Sequence, residues 1–326
     1  ALLLTGTNPR HEAAVLNARI RKSFLKRNLT TIYGIGDPVP LSYPVEWLGN
    51  HPAVLSEIAR GEHEICKAME QAERPMLILG SGALAREDGA EIHAAAKRFA
   101  LRAGMVRDGW NGFNGLHRAA SRAGGLDLGF LPGEGGCDTR GIIEGTHNGD
   151  IELLYLLGAD ELDMSQIGDE TFIIYQGHHG DAGAHKADVI LPGAAYTEKD
   201  AIYVNTEGRV QHTSRAVFPP GEAKEDWKIL RALSDVLEKT LPYNTLQELR
   251  ASLLRQVPHS AEVGRITAAE WQEGKERKAF KIDTRPFAYP VDNFYMTDPI
   301  SRVSKTMAEC TAARAGKRDT EQEAAA

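Results

Sequence analysis

Cysteine is scarce in this chain: there are three among 326 residues, Cys66, Cys137 and Cys310, with no Cys-x-x-Cys pair. That spacing excludes a zinc site or an iron–sulfur cluster held by the chain's own cysteines, and it suits a reducing compartment. Long apolar runs are lacking too. Residues 1–4 and 151–158 stop far short of the ~20 apolar residues that cross a bilayer, so neither a membrane span nor a secretory signal is expected. Positive charge is also short. With 38 Lys and Arg against 45 Asp and Glu, the net charge is -7, which leaves no basic field for nucleic acid or an anionic membrane. No Gly-x-Ser-x-Gly elbow, His-Glu-x-x-His pair or phosphate-binding Gly-x-x-x-x-Gly-Lys loop is present.

What remains is an ordinary globular composition, 42% hydrophobic, long enough to bury a large core and about two domains by length. Short apolar runs alternate with helical periods. Leu2-Leu3-Leu4 reads as a strand, followed by a helix over 14–25 and a strand over 30–33, with Gly and Pro at the strand ends. Pro38, Pro40, Pro44 and Pro52 exclude a long helix over 37–52. A second βα unit starts at Met76-Leu77-Ile78-Leu79, and Ile92, Ala95, Ala96 and Phe99 mark one face of the next helix. Residues 104–149 read as a long Gly-rich irregular region. Further strands are expected over 151–157, 171–175 and 187–191, with helices over 225–239 and around Leu246, Leu249 and Leu253. Residues 255–300 read as an extended arm and 311–326 as a frayed tail. The pattern predicts a parallel α/β sheet flanked by helices. The divisions expected are 1–72 (a βαβ segment and proline-rich bridge), 73–245 (a doubly wound α/β domain) and 246–326 (a helical or extended carboxy-terminal arm with a disordered tail).

Three constellations could carry chemistry. Gly80-Ser81-Gly82-Ala83-Leu84-Ala85 matches Gly-x-Gly-x-x-Ala after a strand, where glycines let a helix start approach a pyrophosphate. The acid that would hold a ribose ~20 positions on is absent from 99–103, which favours a plain strand-to-helix turn. His178, His179 and Asp181 with His185 resemble a ligand set, but adjacent histidines on an extended segment point to opposite faces. Glu198 and Glu207 are paired carboxylates, although Arg209 two residues on favours a structural network over acid/base work.

The run Ala187-Asp188-Val189-Ile190-Leu191-Pro192, then Glu198 and Asn205-Thr206-Glu207-Gly208-Arg209-Val210-Gln211, resembles a signature block of molybdopterin oxidoreductases. Leu4-Thr5-Gly6-Thr7-Asn8-Pro9 resembles an earlier block of that superfamily. Residues 1–21, 172–183 and 294–305 narrow the resemblance to the family of large iron–sulfur subunits of NADH:ubiquinone oxidoreductase, respiratory complex I, over residues 1 to about 310.

The resemblance implies a molybdopterin-oxidoreductase-like fold of parallel sheet layers. It implies that the chain is the carboxy-terminal part of a longer iron–sulfur subunit, whose amino-terminal part carries the cluster cysteines. It further implies no molybdenum pterin in this branch, a scaffold role beside other hydrophilic complex I subunits, and a peripheral place on the bacterial cytoplasmic or mitochondrial matrix side of the inner membrane. Asn8, Glu198, Asn205, Glu207 and Arg209 occupy family signature positions and are expected to be structural, with no catalytic or metal-binding residue in the chain. Two readings compete: a molybdopterin-dependent oxidoreductase fragment that keeps its cofactor, and a nucleotide-binding module at 80–85.

Overall fold

In the computed structural model, β1 (Leu2–Thr5) is buried along its whole length because it has a parallel neighbour on each side. The structure describes residues 1–27, 31–267, 271 and 280–323, with side chains described only to 315 in the last helix. Thr30, placed in a strand by the sequence pattern, and residues 324–326 of the expected tail lie outside them, as does part of 255–300. The chain divides into two compact units. Unit 1 is Ala1–Ala120 with Ala268–Asp292, and unit 2 is Ser121–Thr267 with Asn293–Ala326. The divisions drawn from the sequence at 72/73 and 245/246 fall inside these units.

Unit 1 is built on a five-stranded parallel sheet in the order β3-β2-β1-β4-β7. Besides β1 it contains β2 (Ile32–Ile35), β3 (Glu46–Trp47), β4 (Met76–Leu79) and β7 (Phe113–Gly115), while β5 (Val106–Arg107) and β6 (Trp110–Asn111) form a small antiparallel pair. Its helices are α1 (Pro9–Glu12), α2 (Ala14–Leu25), α3 (Ala53–Arg60), α4 (Ile65–Gln71), α5 (Ser81–Leu84) and α6 (Gly89–Arg102). On one face of the sheet Leu3, Leu77 and Leu79 pack against Leu55, Ile58, Met69 and Phe99. On the other, Leu2, Leu4 and Ile78 pack against Ile20 and Tyr43. Burial on both faces explains why these strands are continuous apolar runs rather than alternating ones. Ile92, Ala95, Ala96 and Phe99 of α6 are all fully buried, as their spacing predicts.

Residues 280–292 depart from the expectation of a free arm. They form a strap built into unit 1, where Phe287, 3% exposed, belongs to the main core and donates its N–H to Asn50 O at 3.1 Å. Arg86 Nη1 holds Arg285 O and Pro286 O at 3.0 Å each, and Asp88 accepts both Arg86 Nε (2.7 Å) and Asp283 N–H (2.8 Å). Burial alone would raise the Asp88 pKa, but the hydrogen bonds from Arg86 and Asp283 outweigh it, and the net shift is downward.

Unit 2 carries a three-stranded parallel sheet in the order β10-β9-β8, made of β8 (Leu153–Leu157), β9 (Phe172–Gly177) and β10 (Val189–Pro192). Leu154, Leu156, Ile173 and Tyr175 bury one face against Ile142, Ile143, Met164 and Ile167. A hairpin of β11 (Ala201–Val204) and β12 (Val210–Thr213) follows. The helices are α7 (Arg122–Asp127), α8 (Thr139–Asn148), α9 (Ala182–Lys186), α10 (Asp226–Val236), α11 (Leu246–Gln256), α12 (Pro299–Arg302) and α13 (Lys305–Glu323). The stretch 104–149, expected to be irregular, holds β5 to β7 and α7 to α8, and the expected frayed tail is helical as far as Glu323.

Candidate functional site: two carboxyl edges filled from within

In parallel α/β sheets, ligands sit at the carboxyl ends of the strands. At that edge of unit 1, β1 exits through Gly6 at φ +57° into Thr7-Asn8-Pro9. Asn8 Oδ1 accepts the Arg10 N–H at 3.2 Å, and Pro9 opens α1, so the helix starts at a fixed place. Glu12 closes that short helix. Its Oε1 accepts the Ser81 N–H at 3.0 Å and the Ser81 hydroxyl, while Oε2 accepts the Thr7 hydroxyl. Three donors at the exits of β1 and β4 thus converge on one carboxylate of the chain itself.

The Gly80–Gly82 turn serves the same closure. A Cβ on Gly80 would lie 2.4 Å from Gly6 O, and one on Gly82 would lie 2.4 Å from Ala288 O. A Cβ on Gly6 would meet Ala83 at 2.8 Å and Phe287 Cδ1 at 3.0 Å. These glycines are required by the approach of the chain to itself, strap included.

The signature block of unit 2 is equally self-engaged. Asp188 Oδ2 accepts the Ile173 N–H at 2.7 Å, tying the start of β10 to β9. Glu198 accepts the Ala195 N–H at 2.9 Å and closes a single 3-10 turn. Asn205 organises the hairpin turn: its Oδ1 accepts the N–H groups of Glu207 and Arg209 at 3.0 Å each, and Gly208 takes φ +84°. Arg209 Nε stands 3.4 Å from Glu207 Oε2, and its Nη1 donates to Gly264 O. Asn8 belongs to unit 1 and the other four signature residues to unit 2. Each has at least one polar side-chain atom held by backbone or by a neighbouring side chain.

The carboxyl edge of the unit 2 sheet carries a denser polar network. Gln176, fully buried, accepts from the Tyr155 hydroxyl and donates to Asp226 Oδ1 at 2.9 Å; Asp226 Oδ2 takes Lys199 Nζ at 2.5 Å. His178 and His179 do not point to opposite faces as the extended reading requires. Both follow the end of β9 in a bend, and their Nδ1 atoms meet at 2.7 Å. Burial, then His179 and Lys199, lowers the His178 pKa and favours its neutral ring. Tyr175 shares its hydroxyl between Asp160 Oδ2 (2.9 Å) and His179 O (3.1 Å). Asp160 Oδ1 is buried without a partner among the described residues, and burial pushes the Asp160 pKa up. His185 lies on α9, and no group of three His, Cys, Asp or Glu among the described residues is arranged to hold a metal. Cys66 is a core residue whose Sγ faces Ile58 O at 3.5 Å, and burial raises its pKa; Cys137 is exposed and Cys310 half-buried.

Sequence reasoning reached the hairpin residues but not Glu12, Gln176 or Asp226. Glu12 and Ser81 are 69 positions apart, and no local pattern joins them.

Two parallel sheets flanked by helices, their carboxyl edges taken up by the chain's own side chains, define a protein of the parallel α/β class. The molybdopterin oxidoreductase family model matches residues 1–236, and the chain belongs to that family. A second model, for the C-terminal region of the NADH-ubiquinone oxidoreductase G-type subunit, matches residues 262–310. The chain is 43% identical, over 95% of its length, to the NADH-ubiquinone oxidoreductase 75 kDa subunit of Reclinomonas americana. It is 41% identical over 96% to the mitochondrial NADH dehydrogenase [ubiquinone] iron-sulfur protein 1 of Solanum tuberosum, and 43% over 95% to the mitochondrial 78 kDa subunit of Candida albicans. It spans 44%, 41% and 42% of those relatives' lengths.

The family implies a pterin dinucleotide, and the unit 1 edge as built does not fit one. Its amide and hydroxyl donors already hold the Glu12 carboxylate, an anion that would repel a phosphate, and Phe287 and Ala288 crowd the glycines over which a pyrophosphate would pass.

Proposed function

We propose that this chain is the carboxy-terminal scaffold of the large iron–sulfur subunit of NADH:ubiquinone oxidoreductase. It packs among the hydrophilic subunits of the peripheral arm of complex I and supports the part of the subunit that passes electrons from NADH toward quinone. The observation that carries this reading is the order of the two family matches, a molybdopterin oxidoreductase region over 1–236 and then an NADH-ubiquinone oxidoreductase C-terminal region over 262–310. The iron–sulfur clusters of the proton-translocating enzyme belong, on this reading, to the rest of the subunit, and the chain itself performs no redox step. Its place is on the cytoplasmic face of a bacterial inner membrane or the matrix face of the mitochondrial one. No helix among the described residues is long and apolar enough to cross a membrane, which agrees with a peripheral position.

The competing reading, a fragment that still binds a molybdenum pterin, has the same signature residues in its favour and the carboxylate at the unit 1 edge against it. Metal and pterin analysis of the purified chain decides between them: molybdenum, tungsten and iron should all fall well below one equivalent. Near-unit pterin would sink the scaffold reading. Separately, the tagged full subunit should comigrate with NADH dehydrogenase activity on a native gel, and its absence from that band would reject the assignment to complex I.

A further inference from the structure

Three Asn-Gly pairs occur in the chain, Asn111-Gly112, Asn114-Gly115 and Asn148-Gly149. This dipeptide is the one most prone to lose ammonia, because glycine leaves its own amide unhindered and its backbone free to turn. The attack also needs an amide that is not already hydrogen-bonded and a side chain that can swing toward it. Two of the pairs lack this freedom. Asn111 Oδ1 accepts the Phe113 N–H at 3.0 Å, and the buried Gly112 donates its N–H to Met105 O at 2.7 Å. Gly112 is also hemmed in, since a Cβ there would lie 2.1 Å from Pro75 O. Asn114 and Gly115 are half-buried in β7 and held in register by β4, with Asn114 Nδ2 3.5 Å from Leu77 O.

Asn148-Gly149 is placed differently. Asn148 ends α8 and Gly149 caps it at φ +76°; both are exposed, and no atom lies within 4 Å of where a Gly149 Cβ would stand. Neither the Asn148 side chain nor the Gly149 N–H has a hydrogen-bond partner among the described residues. The junction that follows is tight. Ile151 donates its N–H back to Gly145 O at 3.1 Å, and a Cβ on Gly145 would lie 2.9 Å from the Ile151 side chain. Ile142 and Ile143 of the same helix pack on the core that contains Leu154 and Leu156.

We propose that Asn148 is the chain's site of spontaneous deamidation, selected by the fold from three equivalent dipeptides. The Gly149 nitrogen attacks Asn148 Cγ. The N–Cγ bond forms, the bond from Cγ to the side-chain nitrogen breaks, and ammonia leaves with the proton given up by the backbone amide. Water then opens the succinimide. Cleavage at Cγ yields aspartate at that position, and cleavage at the backbone carbonyl yields isoaspartate. Either product places a negative charge at the carboxyl end of α8, beside Asp150, where the helix macrodipole is already negative. Isoaspartate also lengthens the backbone between α8 and β8, where Ile151 reaches back to Gly145.

Peptide mapping by mass spectrometry on the full chain, incubated at mildly alkaline pH, tests it. Conversion at Asn148 should exceed that at Asn111 or Asn114 by about tenfold or more, because those two react only after local opening. In urea the three should react at similar rates. Equal rates in the folded chain, an earlier reaction at Asn111 or Asn114, or a folded chain in which all three are protected overturns the proposal. Asn148→Gln should remove most of the isoaspartate that enzymatic methylation detects, with the far-UV circular dichroism kept; an unchanged yield rejects the site. Should that variant unfold, the site-resolved rates of the parent still decide. The modified form, separated on anion exchange by its extra negative charge, should melt below the unmodified one, and equal melting rejects its coupling to the α8–β8 junction. These rates do not depend on the assignment to complex I, so failure of either leaves the other standing.

Discussion

At the carboxyl edge of unit 1, Glu12 satisfies three donors and Phe287 packs over them from a segment more than 200 positions away in sequence. At the same edge of unit 2, Gln176 and Asp226 are fully engaged, but Asp160 Oδ1 and Arg302 Nη2 are buried without partners among the described residues, and two histidine rings touch. One edge is closed by apolar packing around a saturated anion. The other is held by a titratable polar network. The first should respond to the loss of atoms and the second to protons.

The largest effect should come from removing the strap's anchor. Phe287→Ala deletes a side chain that is 3% exposed in the main core, which costs about 3–5 kcal/mol. Urea unfolding should show that loss, and proteolysis should begin within 280–292; a loss below 1 kcal/mol would mean that the strap is not part of the core. Next comes Glu12→Ala, which leaves the Ser81 amide and two hydroxyls without their acceptor at a cost of about 2–3 kcal/mol. Glu12→Gln should cost distinctly less, since the amide oxygen still accepts and the Thr7 hydroxyl can turn to accept from the amide nitrogen. Equal losses for the two variants would show that bulk, rather than the carboxylate, closes this edge.

In unit 2, Asn205→Ala removes the acceptor of two turn amides and should cost about 1–2 kcal/mol, read by unfolding, while Asn205→Asp, which keeps that acceptor but sets a second carboxylate beside Glu207, should cost less than Asn205→Ala. The smallest effect is the one that separates the edges most cleanly. Because its folded pKa lies below the ordinary 6.5, His178 contributes stability that is present above 6.5 and is lost as the pH falls through the folded value. Melting temperatures measured from pH 7.5 down to 5.5 should therefore fall for the parent more than for His178→Gln. Parallel curves would assign the acid sensitivity elsewhere.

The sheet of unit 1 was legible because its central strands are buried on both faces and so form uninterrupted apolar runs, and because α6 repeats its apolar residues at one spacing. Other elements hid for identifiable reasons. In α8, Gly141 and Gly145 dilute the period set by Ile142 and Ile143, and a Cβ on Gly145 would press on the Ile151 side chain, at 2.9 Å from its Cδ1. β7 is three residues long and ends in glycine, and it counts as a strand only because β4 pairs with it. The strap showed weak periodicity because it anchors through single residues such as Phe287. The hairpin cluster of Asn205, Glu207 and Arg209 could be read because its partners are two to four positions apart, whereas the Glu12–Ser81 contact depends wholly on β1 and β4 being neighbours.

The glycines of the unit 1 edge set how reversible its closure is. Gly6 and Gly82 admit the strap only because they lack a side chain, and the strap in turn fills the space over them, so each element now presupposes the others. Withdrawing the carboxylate alone leaves the aromatic ring in place; shortening the ring alone leaves the charge. The edge is therefore shut by a carboxylate and by an aromatic ring at once, and loss of either leaves the other in place.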